Sequence, residues 1–151
     1  MFELSKSLAT DCALLLVLLF GLLTGGQIYA QISENVQLFG TLNLYEARYS
    51  GSWGYEDEVG NEYALLGAET GTYICDIDEA GNIFVVSYIP AVTKSNWREI
   101  TVVGEYAYVV SEGEKTGLQI IDMSSLPDSA SLAATNYDFF STAHMINRDI
   151  Y

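Results

Sequence analysis

Histidine is almost missing from this chain: His144 is the only one. A zinc centre built from several imidazoles is therefore excluded within these residues. Cysteine is scarce as well. Cys12 lies in an apolar N-terminal run, which leaves Cys75 alone in residues 31–151 and no internal disulfide there. An exported domain of this kind has to rely on its core for stability. Cys75 sits in the apolar run Tyr73-Ile74-Cys75, where a buried, inert thiol is the expectation. Basic residues number six against twenty acidic ones, a net charge of −14. That balance repels phosphate backbones and argues against nucleic acid as a partner. No Gly-x-Ser-x-Gly elbow is present, and Asp138 and Ser141 near His144 in a loop do not make a catalytic triad. The chain is expected not to be an enzyme and to carry no cofactor.

The first thirty residues stand apart. Lys6 supplies a weak positive region, and Cys12 to Thr24 is an apolar run interrupted only by Gly21. Ile28-Tyr29-Ala30 then offers a small residue ahead of Gln31. This is the pattern of a signal peptide over residues 1–30, too short for a comfortable bilayer span. Glu3 and Asp11 weaken it, so an uncleaved signal anchor is the alternative. Ala9-Thr10-Asp11 ahead of Cys12 is not a lipidation context. An extracellular or cell-surface address is expected, without a stable membrane span once the signal is removed.

From Val36 onward, apolar and polar residues alternate between turn signals. Strands are expected over Val36–Leu44, Trp53–Asp57, Glu62–Ala68, Thr72–Ile77 and Ile83–Ile89. Pro90 should close this first set, since it cannot donate to a ladder. A second set is expected over Arg98–Val103, Tyr106–Ser111, Leu118–Met123 and Ser131–Tyr137. Strands spaced this closely must be antiparallel.

The two sets share sequence. Glu62-Tyr63-Ala64 returns as Glu105-Tyr106-Ala107, 43 residues later, and Gly71, ahead of Cys75-Asp76, returns as Gly117, ahead of Ile121-Asp122, 46 residues later. An insertion that turns Ala68-Glu69-Thr70-Gly71 into Ser111-Glu112-Gly113-Glu114-Lys115-Thr116-Gly117 explains the change of offset. A strand-filled repeat of about 40–45 residues is the length of one four-stranded propeller blade. The fold expected is all-β, an incomplete β-propeller-like array of antiparallel four-stranded blades over residues 31–151. Two blades are followed by the opening of a third in Ser141–Tyr151. Propellers close with about 4–8 blades, so the chain reads as the N-terminal fragment of a longer protein, or as one completed by a partner.

Gly71-Thr72-Tyr73-Ile74-Cys75-Asp76-Ile77-Asp78 and Gly117-Leu118-Gln119-Ile120-Ile121-Asp122-Met123-Ser124 resemble the LVIVD repeat. Ser52-Trp53-Gly54-Tyr55, Glu62 to Gly67, Trp97-Arg98-Glu99-Ile100 and Ala143-His144, in this order, resemble the start of choice-of-anchor B family proteins. The resemblance runs roughly from Val36 to the end. It implies an exported, β-propeller-like domain several times longer than this chain, in a family whose members differ in their C-terminal surface anchors. Cys75 departs from the usual aliphatic residue, and Met145 stands where the family pattern has Asn. The resemblance implies an architecture and an address rather than a reaction.

Three features are candidates for chemistry. Asp76-Ile77-Asp78-Glu79-Ala80-Gly81-Asn82-Ile83 resembles the opening of an EF-hand loop, but Ala80 and Ser87 occupy ligand positions that require oxygen donors and a bidentate Glu. The reading taken is a polar hairpin turn, with a calcium site shared between neighbouring blades as the alternative. Glu56-Asp57-Glu58 alternate in direction along a strand and cannot converge on one ion, so a solvated turn is expected. No metal site is assigned. The third feature is positional: Trp53, Trp97 and His144 lie near the start of successive first strands, at spacings of 44 and 47 residues. In a propeller those strands line the central channel, so Trp53, Trp97, Arg98 and His144 are candidates for one axial ligand-binding ring. The competing reading packs the tryptophans between blades and pairs Arg98 with an acid such as Glu112. The function expected is a secreted or surface-displayed binding scaffold for a protein, small-molecule or glycan ligand. The alternative is an enzyme or metal-binding protein whose site is completed by blades absent here.

Overall fold

The computed structural model describes residues 36–44 and 48–149. The chain divides into two compact units, Met1–Gln37 and Leu38–Tyr151. The expected signal peptide lies outside the described residues.

Eight strands form, all of them in the second unit, and no helix occurs among the described residues. The first four are β1 (Tyr49–Glu56), β2 (Glu62–Ala68), β3 (Gly71–Ile77) and β4 (Ile83–Pro90). The second four are β5 (Arg98–Val103), β6 (Tyr106–Ser111), β7 (Leu118–Asp122) and β8 (Ser131–Asn136). They make two separate four-stranded antiparallel sheets, each in sequence order. The fold is all-β, with the antiparallel pairing that the short connections require. Pro90 ends an edge strand, where its missing N–H costs no ladder bond.

The two sheets repeat one another in register as well as in sequence. In both, the pairing of the third and fourth strands slips at the same repeat position, between Ile74 and Cys75 and between Ile120 and Ile121. Such an irregularity bends the strand and increases its twist. β1 carries a further irregularity between Tyr49 and Ser52 that β5 lacks.

The core lies between the sheets. One face of the first sheet contributes Leu65, Ile74 and Ile89, and the opposing face of the second contributes Ile100, Val102, Ala107, Val109 and Ile121. Trp53 and Tyr55 pack at its margin. β1 lies beside β5, and β4 meets β8 more lightly. Gly51 and Gly67 permit that approach: a Cβ on Gly51 would stand 2.5 Å from the Arg98 carbonyl oxygen, and one on Gly67 would stand 3.2 Å from the same oxygen.

Two expectations are corrected. Val36–Leu44 forms no strand. Its alternation is apolar, yet no strand pairs with it, and Leu38 and Phe39 are exposed; a pattern of faces does not supply a ladder. Residues 141–149 likewise form no strand of a third blade. They are held by isolated bonds: the Ala143 N–H and the Thr142 hydroxyl both donate to the Ser111 carbonyl, at 3.1 and 2.9 Å.

Candidate functional site

The structure brings Trp97 and His144 together, 47 residues apart in sequence, with ring centroids 5.7 Å apart and planes inclined at 54°. Trp97 stands just ahead of β5 and is 55% exposed. Its backbone is fixed on both sides, since its N–H donates to Ser95 Oγ and its carbonyl accepts from the same hydroxyl. The Trp97 carbonyl also accepts from the Glu112 N–H at 3.4 Å, which draws the β6–β7 connection toward the tryptophan.

That connection supplies the third member. Glu112 Oε1 lies 2.7 Å from His144 Nδ1, between side chains that are 58% (His144) and 43% (Glu112) exposed. A carboxylate at Nδ1 orients the ring and leaves Nε2 facing outward. The connection is internally braced. The Thr116 hydroxyl is shared between the carbonyls of Ser111 and Gly113, and the Gly113 N–H donates to Ser111 Oγ. Thr93 Oγ1 donates to the Glu114 carbonyl and ties in the segment ahead of β5. Trp97, Glu112 and His144 thus come from three chain segments, each fixed by its own backbone bonds.

Trp53 and Arg98 are elsewhere. Trp53 lies within β1 opposite Leu65, whereas the repeat counterpart of Leu65 is Tyr108, whose partner in β5 is Thr101. Trp53 therefore corresponds to Thr101 and not to Trp97, because the β1–β2 turn, residues 57–61, is longer than the β5–β6 turn at Gly104 and Glu105. Its ring is covered by the Arg148 guanidinium, 5.8 Å from the centroid.

Arg98 is 1% exposed and points between the sheets, away from Trp97. Its Nε donates to the Ala68 carbonyl at 3.1 Å, and its Nη1 to Gln119 Oε1 at 3.4 Å. Gln119 Nε2 in turn donates to the Pro90 carbonyl. Two side chains of the second sheet thus grip carbonyls at one end of the first. Burial lowers the Arg98 pKa, opposed in part by Tyr88. Glu112, the acid considered for Arg98, is engaged by His144 instead.

The acidic hairpins resolve into twin turns. Asp57-Glu58-Val59-Gly60-Asn61 and Asp78-Glu79-Ala80-Gly81-Asn82 close in the same way. In each, Oδ1 of the aspartate accepts from the backbone two and four residues on, and Oδ2 accepts from the asparagine amide. Gly60 and Gly81 take positive φ, 91° and 83°, which glycine adopts without a Cβ penalty. The side-chain and backbone bonds from Asn82 lower the Asp78 pKa. Burial pushes Asp57 upward, but bonds from Asn61 and Val59 outweigh it, and the net shift is downward.

A cavity of about 600 Å³ opens between these turns, lined by Phe39, Gly60, Asn61, Glu62, Asp76, Ile77, Asp78 and Glu79. The Asp78 carboxylate is engaged by its own turn. Among the described residues no three His, Cys, Asp or Glu side chains are placed to hold a metal ion. Cys75 is buried, and desolvation pushes its thiol up to about 11, far from a nucleophile's range.

Glu112 is the member of the site that sequence reading named only in the competing reading, as an acid for Arg98. Its signal was the lengthened β6–β7 connection, where the second copy of the repeat adds residues. Comparisons with known proteins give no matching family model, no matching characterised protein and no matching solved structure.

Proposed function

We propose that this chain is a β-propeller-type repeat scaffold, exported to the cell surface or beyond, that binds a hydroxyl-rich ligand of glycan type at Trp97, Glu112 and His144. The observation that carries the reading is the exposed Trp97 ring beside a histidine that Glu112 orients. An accessible indole gives a flat apolar platform, and the imidazole edge with its carboxylate gives hydrogen-bonding groups at the rim. The propeller arrangement draws support from the order of the sheets, with first strand beside first strand and the outer strands wider apart. Export rests on the apolar N-terminus, and the LVIVD and choice-of-anchor B likeness on the repeated motifs. No helix among the described residues is long and apolar enough to cross a membrane.

The test is calorimetric titration of the chain with a panel of neutral oligosaccharides. At least one is expected to bind saturably, Trp97→Ala is expected to abolish that binding, and Trp53→Phe to retain it. No binding across the panel, or binding that survives Trp97→Ala, overturns the reading.

A further inference from the structure

Among the described residues Arg98 is the one buried basic side chain, and the ligand reading at Trp97 makes no use of it. A guanidinium keeps its charge inside a protein. Burying that charge is costly unless an opposite charge or a full set of hydrogen bonds meets it. Arg98 has neither. Its Nε and Nη1 donate to the Ala68 carbonyl and to Gln119 Oε1, both uncharged acceptors. Its Nη2 is buried and meets no acceptor. Burial lowers its pKa, and the one ionisable side chain that opposes this shift is the Tyr88 phenol. No carboxylate among the described residues offsets the charge.

Two hydroxyls at the same end of the contact between sheets are unpartnered as well, Thr72 Oγ1 and Ser50 Oγ. Thr72 is 1% exposed and stands in register between Gly67 and Ile89. Ile89 belongs to the core between the sheets, and residues directly opposite share a face, so the Thr72 side chain also faces the second sheet. Gly67, its partner in β2, precedes the Ala68 whose carbonyl Arg98 grips. A Cβ on Gly67 would stand 3.1 Å from Ser50 Oγ and 3.2 Å from the Arg98 carbonyl oxygen. Three of the four buried side-chain atoms without a partner thus gather around one point; the fourth, Thr101 Oγ1, lies on the other face of the second sheet.

The chemistry of the three selects what they would take. Nη2 can only donate, and each hydroxyl has a proton to offer. A cluster of donors around a fixed positive charge repels cations and suits an anion. The close approach of backbone and side chains around Gly67 leaves no room for phosphate or an organic acid. We propose that Arg98 Nη2, Thr72 Oγ1 and Ser50 Oγ hold a single-atom anion of the halide class, such as chloride, between the two sheets. The ion completes the grip that Arg98 and Gln119 exert on the Ala68 and Pro90 carbonyls. Arg98 points away from Trp97, so this site stands or falls separately from the glycan reading.

The test is the thermal midpoint of the full chain as sodium chloride replaces sodium gluconate. Ionic strength stays constant, so screening of the net charge of −14 does not change. The midpoint should climb with the logarithm of chloride concentration, as for any ligand that only the folded chain binds. Arg98→Met should abolish the climb. Thr72→Val keeps the shape and removes one donor, so the same rise should need about tenfold more chloride. Crystals grown in bromide should show an anomalous peak within hydrogen-bonding distance of Nη2. A parent midpoint indifferent to chloride overturns the proposal, as does an equal climb in Arg98→Met. So does a water without anomalous signal at Nη2 in the bromide crystals. If Arg98→Met does not fold, Thr72→Val decides: chloride dependence identical to the parent's overturns the site.

Discussion

Between β2 and β3 the chain reverses through Glu69 and Thr70 alone, whereas between β6 and β7 it takes Glu112 to Gly117 to make the same reversal. The strands on either side keep their repeat register, so the added residues leave the sheet untouched. They change what the sheet presents. The short turn ends in plain backbone bonds, with the Ala91 N–H donating to the Thr70 carbonyl. The long one folds on itself around Thr116 and holds out Glu112 to meet His144. A repeat can therefore acquire a local site by lengthening one connection, at little cost to the core that the strands build.

The two sheets should differ most in the core. Leu65 and Tyr108 occupy one repeat position, but Leu65 is wholly buried between sheets and Tyr108 is half-exposed. Leu65→Ala should cost about 2–5 kcal/mol in urea unfolding, and Tyr108→Ala markedly less. Equal losses would show that both sheets bury this position alike.

A smaller effect is expected where the sheets approach. Gly67 and Val110 correspond, and a Cβ on Gly67 would stand 2.9 Å from the Gly51 carbonyl oxygen and 3.2 Å from that of Arg98. Gly67→Val should cost about 1–3 kcal/mol by overpacking, read as a lowered thermal midpoint. An unchanged midpoint would mean that β1 and β5 yield to the added side chain.

Much of this frame was legible in the sequence. Glu62–Ala68, Arg98–Val103 and Tyr106–Ser111 form as strands with the expected bounds, because alternation and turn residues agree there. β1 begins earlier than expected, at Tyr49, since Ser50-Gly51-Ser52 reads as a loop until its pairing with β2 is known. The equal spacing of Trp53 and Trp97 is misleading for a different reason: the β1–β2 turn, residues 57–61, is longer than the β5–β6 turn, residues 104–105, so a matching residue count does not mark a matching strand position. The meeting of Glu112 with His144, 32 residues on, depends on where two connections come to rest, which no local pattern encodes.

The brace of the long connection gives a finer test. Thr116→Val keeps the shape but removes the hydroxyl shared by Ser111 and Gly113, for a loss of about 1 kcal/mol. Amide exchange within Glu112–Gly117 should accelerate while the strands stay protected. Uniform acceleration would mean that the connection has no independent stability.

The least effect belongs to the twin turns. The carboxyl of Asp78 is held below its ordinary pKa in the folded chain. Its contribution is therefore present above the unfolded value of about 3.9, and it is lost as the pH falls through the folded value. Nuclear magnetic resonance shifts of Ala80 and Asn82 should follow that loss on the acid side, and Asp78→Ala should remove the pH dependence. A transition that persists in the variant would assign it to another group.

The placement of the two tryptophans has a photophysical consequence. One indole packs at the core margin beneath a guanidinium, and the other lies open to solvent. Their emission should separate, with Trp53 blue-shifted and shielded and Trp97 red-shifted and open to collisional quenchers such as acrylamide. A single unlabelled chain thus carries two resident chromophores, one reporting on the packing between the sheets and the other on the surface around His144.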